Sequence, residues 1–224
     1  MQLVSVGAAR SVWLFDVNEL NPSGKRIFPD ALTWLGEKYS FQSFPKTIAD
    51  TDPDKKGYQF KQGSFQTETG ASFTVNFSIY EDGVVAETWS STEIGDQFLV
   101  DLLRSASARY SLNFKFESVL RKIYVSELTA QFDWDVSVFG NRFKVFCEKL
   151  DALMAHNHLP KYELTGMIFS PDTSGTSYKP PGFMLERKTN VPFSLNRYWS
   201  KAPFTTRDHV AALEAYEELW ADQT

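Results

Sequence analysis

With 224 residues, 42% of them apolar and 23% charged, the chain can bury a core without disulfide staples, which excludes intrinsic disorder as its main state. Twenty-three Lys and Arg against 28 Asp and Glu leave a net charge of −5, so a surface that is a nucleic-acid footprint throughout is excluded, although a local basic patch is not. The 19 Phe, 9 Tyr and 6 Trp suit pleated, half-buried surfaces and favour a large sheet.

The stretch from Met1 to Phe15 has no basic leader, and Ser5, Arg10 and Ser11 break it before an apolar run of signal length develops. No stretch reaches the ~20 apolar residues that a membrane-spanning helix needs. One cysteine, Cys147, leaves no intrachain disulfide. These features predict a cytoplasmic protein with no membrane association.

In chain order, Val12 to Val17 reads as a strand and Pro29 to Lys38 as a short helix containing Gly36, followed by a charged, proline-containing loop from Asp50 to Lys56. Tyr58 to Gln66 reads as the first strand of an antiparallel meander. The clearest alternation follows: Phe73, Val75, Phe77 and Ile79 point one way, and Ser72, Thr74, Asn76 and Ser78 the other. Glu81, Asp82 and Gly83 supply a turn, with glycine providing positive φ, and Val84 to Trp89 returns. Ser90 stands three residues before Glu93, the spacing of a capping box, and Ile94, Phe98, Leu99, Leu102, Leu103 and Ala106 trace the apolar stripe of a helix from Thr92 to Arg109.

Val119 to Phe132 reads as a long strand. A weak boundary near residues 134–136, at Trp134 and Asp135, is the one place where a single domain would divide. A second helix is expected from about Val138, with Phe139, Phe143, Phe146, Cys147, Leu150 and Leu153 inward, ending near His156, Asn157 and Pro160. Tyr162 to Phe169 and Phe183 to Thr189 read as strands around a Ser/Thr/Gly/Pro-rich loop from Ser170 to Gly182. The last helix begins at Thr205 or Thr206, with Thr205 and Asp208 at capping-box spacing, and places His209, Leu213, Tyr216 and Trp220 on one face. The chain shows no internal sequence repeat. Strands and helices mixed without strict alternation predict one α+β domain, a mostly antiparallel sheet with about three main helices packed against it.

One constellation carries chemistry. Pro171 and Asp172, then Phe183, Met184, Leu185, Glu186, Arg187 and Lys188, write as PD, a hydrophobic run and ExK. This pattern resembles the PD-(D/E)xK nuclease superfamily. The resemblance implies that Asp172 and Glu186 bind Mg²⁺ or Mn²⁺ and that Lys188 helps activate water against a phosphodiester; Glu148, on the helix before the hairpin, is the nearby upstream acid that could add a metal ligand. Residues 186 and 188 lie two apart on a strand, so carboxylate and ammonium share a face. The same residues also read as a plain same-side charge pair, and Asp172 as a turn former after proline.

Charge is unevenly distributed. From Arg142 to Arg207 there are ten Lys and Arg against five Asp and Glu, whereas Asp208 to Asp222 holds five acids and no base. The basic segment, with Tyr178, Arg197, Tyr198, Trp199 and Lys201, suits phosphate contact and base stacking; equally, the acidic helix docks on it, within the fold or on a neighbouring subunit. His156 and His158 read as helix-end residues. Ser200 or Thr205 beside His209 is a nucleophile candidate without a strained-turn signature, and Cys147 reads as a buried small hydrophobe.

The remaining feature is Val191 to Phe204, held extended by two X-Pro steps and dense in aromatics. Its aromatic and arginine residues either seal the last helix onto the sheet or anchor an interface. The leading expectation is a non-catalytic interaction or assembly component, binding a protein partner or itself through Arg197, Tyr198, Trp199, Lys201, Tyr216 and Trp220 and using no cofactor. The alternatives are the metal-dependent nuclease and a nucleic-acid-binding module on the basic segment 142–207.

Overall fold

The computed structural model describes residues 1–22, 24, 28–46, 57–136, 140–154, 162–175 and 179–221. Eight strands form an antiparallel sheet: β1 (Gln2–Leu14), β2 (Tyr58–Gln66), β3 (Ser72–Tyr80), β4 (Gly83–Thr88), β5 (Arg121–Gln131), β6 (Gly166–Phe169), β7 (Phe183–Arg187) and β8 (Arg197–Ala202). Their order is β2-β3-β4-β1-β5-β8-β7-β6. Four helices accompany them among the described residues: α1 (Phe28–Lys38), α2 (Thr92–Tyr110), α3 (Gly140–Met154) and α4 (Thr206–Ala221). The mixed fold and its antiparallel sheet agree with the sequence; the helix count is four, because the short α1 buries Leu32 and Leu35 and is a full member of the core.

The succession strand, helix, three strands, helix occurs twice, as β1-α1-β2-β3-β4-α2 and as β5-α3-β6-β7-β8-α4. In each set the leading strand lies beside the last strand of the three. The chain divides into two compact units. The first is Val6–Ser126 with Phe204–Thr206, and the second is Met1–Ser5, Glu127–Pro203 and Arg207–Thr224.

In the first unit, the inward residues of the meander are those the alternation selects: Val75 and Phe77 of β3 are buried, as are Val84 and Ala86 of β4. Gly83 opens β4 at φ +154, where a Cβ would stand 2.2 Å from the Trp13 carbonyl oxygen, so the turn accepts only glycine. A bulge between Phe60 and Gly63 interrupts the β2–β3 register. From α2, Phe98 reaches into a ring cluster, its centroid 4.9 Å from Tyr39 and 5.6 Å from both Phe65 and Phe77. Edge-on contacts of this kind add to the area term. The α2 cap is Ser91, whose side chain accepts the Ile94 N–H at 3.2 Å, one residue beyond the serine expected.

Other expectations shift. β1 runs from Gln2 to Leu14 instead of Val12 to Val17, because the small residues Gly7, Ala8 and Ala9 hide its alternation and Val17 enters a short 3-10 turn. β6 and β7 are shorter than predicted. β8 occupies the middle of the aromatic segment that reads as an extended connector.

In the second unit Leu128, Ala130, Leu185, Tyr198, Ala202 and Leu213 are buried together with the polar Arg187, Ser200 and His209. The expected α3 residues Val138 and Phe139, and its terminators His156, Asn157 and Pro160, lie outside the described residues, as does the whole loop Asp50 to Lys56. No helix among the described residues is long and apolar enough to cross a membrane.

Candidate interaction surface

The hairpin that would assemble the nuclease constellation exists, but it carries its members along different stretches of chain. β6 and β7 pair with Phe169 opposite Phe183 and Gly166 opposite Glu186. Asp172 therefore continues into the loop beyond Phe169, while Glu186 lies three residues back along β7, about 10 Å at the rise of a strand. Asp172 is fully exposed, and its Oδ1 accepts the Ser174 hydroxyl at 2.7 Å and the Ser174 N–H at 2.9 Å. These two bonds, the hydroxyl first, hold its carboxyl below the usual range. This is the turn-forming role of aspartate. Glu186 is exposed, and Lys188 donates from Nζ to Thr129 Oγ1 at 3.3 Å. Glu148 is exposed on α3. Among the described residues no three His, Cys, Asp or Glu side chains gather as a group able to hold a metal ion.

The charged residue that the β7 strand buries is Arg187, which is 2% exposed. Alternation makes this necessary: Leu185 and Arg187 face the core while Glu186 and Lys188 face away. Its guanidinium donates to Phe193 O at 2.7 Å and to Asp135 Oδ1, and stacks over the rings of Phe193 and Tyr198 at 4.7 and 5.0 Å. Tyr198 donates its hydroxyl to the same Asp135 oxygen at 3.0 Å. The sequence offers no signal for this site beyond the inward parity of residue 187.

Ser200 and His209 do meet, with Oγ and Nε2 2.8 Å apart and both residues fully buried. Ser200 has one hydroxyl proton and gives it to Met184 O at 2.7 Å, so the imidazole Nε2–H donates to Oγ. This is the reverse of the proton direction that activates a nucleophile. Burial pushes the His209 pKa down to about 4, and the ring lies edge-on to Phe183 at 5.7 Å. The pair closes a polar seam between β8, β7 and α4.

The expected interface anchors divide by strand parity. Tyr198, Ser200 and Ala202 are buried, while Arg197, Trp199 and Lys201 are half-buried on the opposite face. The cations there are already engaged: Lys201 pairs with Glu127 at 2.9 Å and Arg197 donates to Gln131 at 3.0 Å. Glu186 stands opposite Trp199 in the β7–β8 register. Tyr216 is half-buried and donates to Val136 O at 3.1 Å. Tyr178 and the Trp220 side chain lie outside what the structure describes.

Exposed apolar side chains occur at several places, Leu120, Ile168 and Phe169 among them, and one group of them lies on a single helix, α3. Phe143, Phe146 and Leu153, predicted to face inward, are 51%, 58% and 71% exposed, and Cys147 is half-buried instead of enclosed. No described side chain of α3 is buried: of the described residues expected inward, Cys147 and Leu150 are half-buried and the others exposed, because periodicity gives a face and not its partner. Residues 143, 146, 150 and 153 follow the 3-4-3 spacing of a helix-pairing seam, with the exposed Lys149 on its flank. On α4 the solvent side is Ala211, Ala215 and Leu219, the last 66% exposed, with Glu214 and Glu218 beside them. Comparison with protein-family models and with curated proteins finds no match for this chain.

Proposed function

We propose that the chain is a non-catalytic assembly component that associates with further copies of itself, the α3 seam of one copy packing on the exposed α4 face of the next. The observation that carries this reading is the exposure of Phe143, Phe146 and Leu153 in one helical seam, an apolar stripe of the kind that marks an interaction site. The occupant follows from complementarity. The large α3 side chains need a partner helix with small residues, and α4 offers Ala211 and Ala215 at i, i+4 spacing. Lys149 on α3 meets acids on α4, where Glu214 and Glu218 are exposed. Two α3 seams facing one another would instead bring large residues and their lysines together. A contact between unlike surfaces propagates, closing into a ring or extending as a filament.

Light scattering across concentration tests this reading. The expected result is a mass that rises above one chain with concentration in the native protein and stays at one chain in F143E/F146E. A native protein of one-chain mass throughout, or a variant that assembles unchanged, would overturn it.

A further inference from the structure

The first unit contains an open cleft of about 790 Å³ between the β2–β3 hairpin and one side of α2, with Lys122 of β5 at its wall. Its volume lies in the range that holds a small ligand. Phe65, Phe73, Ile94 and Val100 form the apolar part of a lining that Gln66, Thr67, Thr69 and Gln97 make polar elsewhere. Its charges are not equivalent. Asp96 already accepts the Trp13 indole N–H at 2.9 Å and the Tyr124 hydroxyl at 2.8 Å. Asp101 accepts Tyr39 at 2.6 Å and Lys38 at 2.9 Å. These two carboxylates are thus committed to the protein's own donors; a third acid of the lining, Glu68, is exposed beyond the end of β2.

The cations are held differently. Lys122 Nζ sits 3.8 Å from the Trp13 ring centroid, and the Arg104 guanidinium 5.3 Å from that of Phe116. The two rings meet edge-on at 6.2 Å, so the cations flank one ring pair. A ring face attracts a cation without neutralising it. Among the described residues neither cation is in an ion pair, and both are exposed.

We propose that this cleft binds a small organic anion with a flat apolar body, the anionic group held by Arg104 and Lys122 and the body lying on the Phe65, Phe73 and Val100 side. A guanidinium offers paired donors and an ammonium a point charge, so a carboxylate, sulfonate or phosphate fits, and the apolar lining selects against an inorganic ion. This binding is separate from self-association, since it uses no residue of α3 or α4.

Calorimetric titration with 1-naphthyl phosphate, 1-naphthol and inorganic phosphate tests the proposal, using F143E/F146E so that the α3 seam does not take up the naphthyl group. The expected result is saturable 1:1 binding of naphthyl phosphate, weakened at least tenfold in an added R104Q/K122Q pair and weakened by salt, with naphthol and inorganic phosphate each binding at least tenfold less tightly. Both positions are exposed, and an unchanged melting temperature of the R104Q/K122Q variant shows that its loss of binding is local. Absence of naphthyl phosphate binding, equal affinity for naphthol, or an affinity unaffected by R104Q/K122Q would overturn the proposal. Should R104Q/K122Q fail to fold, chemical-shift changes of the Trp13 indole on titration replace it, and their absence counts against the cleft.

Discussion

A guanidinium is tolerated in a protein interior only when its charge is shared out, and Arg187 shares it among Asp135, the Phe193 carbonyl and two ring faces. Lysine keeps the charge but neither the planar fork nor the stacking. R187K is therefore expected to lose about 3 kcal/mol of stability in urea unfolding, whereas K188Q, one residue along on the outer face, stays within ~0.5 kcal/mol. Equal effects at the two positions would contradict the assigned parity. His209 gives a pH signature. Its folded pKa of about 4 lies below the ordinary value near 6.5, so the unfolded chain takes up a proton first as pH falls. Its contribution is complete above pH 6.5 and declines between pH 6.5 and 4 by about 1.4 kcal/mol per pH unit. H209Q should flatten that part of the stability profile, and an unchanged slope would show that His209 does not drive it. Residue chemistry was the least legible level in the sequence. Glu186 and Lys188 stand at the spacing of a motif, while Arg187 between them, silent as a motif position, is the one enclosed in the core.

At the scale of elements, two helices with similar apolar periodicity have opposite fates. Phe98 of α2 is enclosed by Tyr39, Phe65 and Phe77, so F98A should cost about 3–5 kcal/mol. Phe146 of α3 is 58% exposed, so F146E should change the stability of the isolated chain by no more than about 0.5 kcal/mol. A large loss in F146E would place α3 in the core and remove the proposed seam. The meander was readable because Phe73 to Ile79 alternates without exception and Gly83 punctuates it. β8 was not readable, since its inward residues are Tyr198, Ser200 and Ala202, only one of them bulky, and the Ser200–His209 contact that makes the serine acceptable inside comes from a helix still to follow. β1 failed for a related reason: small residues at its centre carry no contrast between faces.

For the molecule as a whole, the twofold succession of strand, helix, three strands and helix leaves no trace in the sequence, because the corresponding elements meet different surroundings. α1 buries Leu32 and Leu35, whereas α3, its counterpart in the second set, holds its aromatic residues outward. The charge asymmetry between the segment 142–207 and the acidic last helix was legible; whether it is satisfied within one copy depends on side-chain placement, and Glu214 and Glu218 stand exposed. The proposed self-association between α3 and α4 would turn that asymmetry into a partner rule. Sedimentation velocity on two charge-reversed variants, K149E and E214K/E218K, tests the rule most directly. Each variant alone places like charges at the contact, and the mixture restores opposite charges at every one. The account predicts one-chain mass for each variant, native-like assembly for the mixture, and about a tenfold shift in the concentration of half-assembly between them. Variants that assemble as the native protein does, or a mixture that stays at one-chain mass, would contradict it.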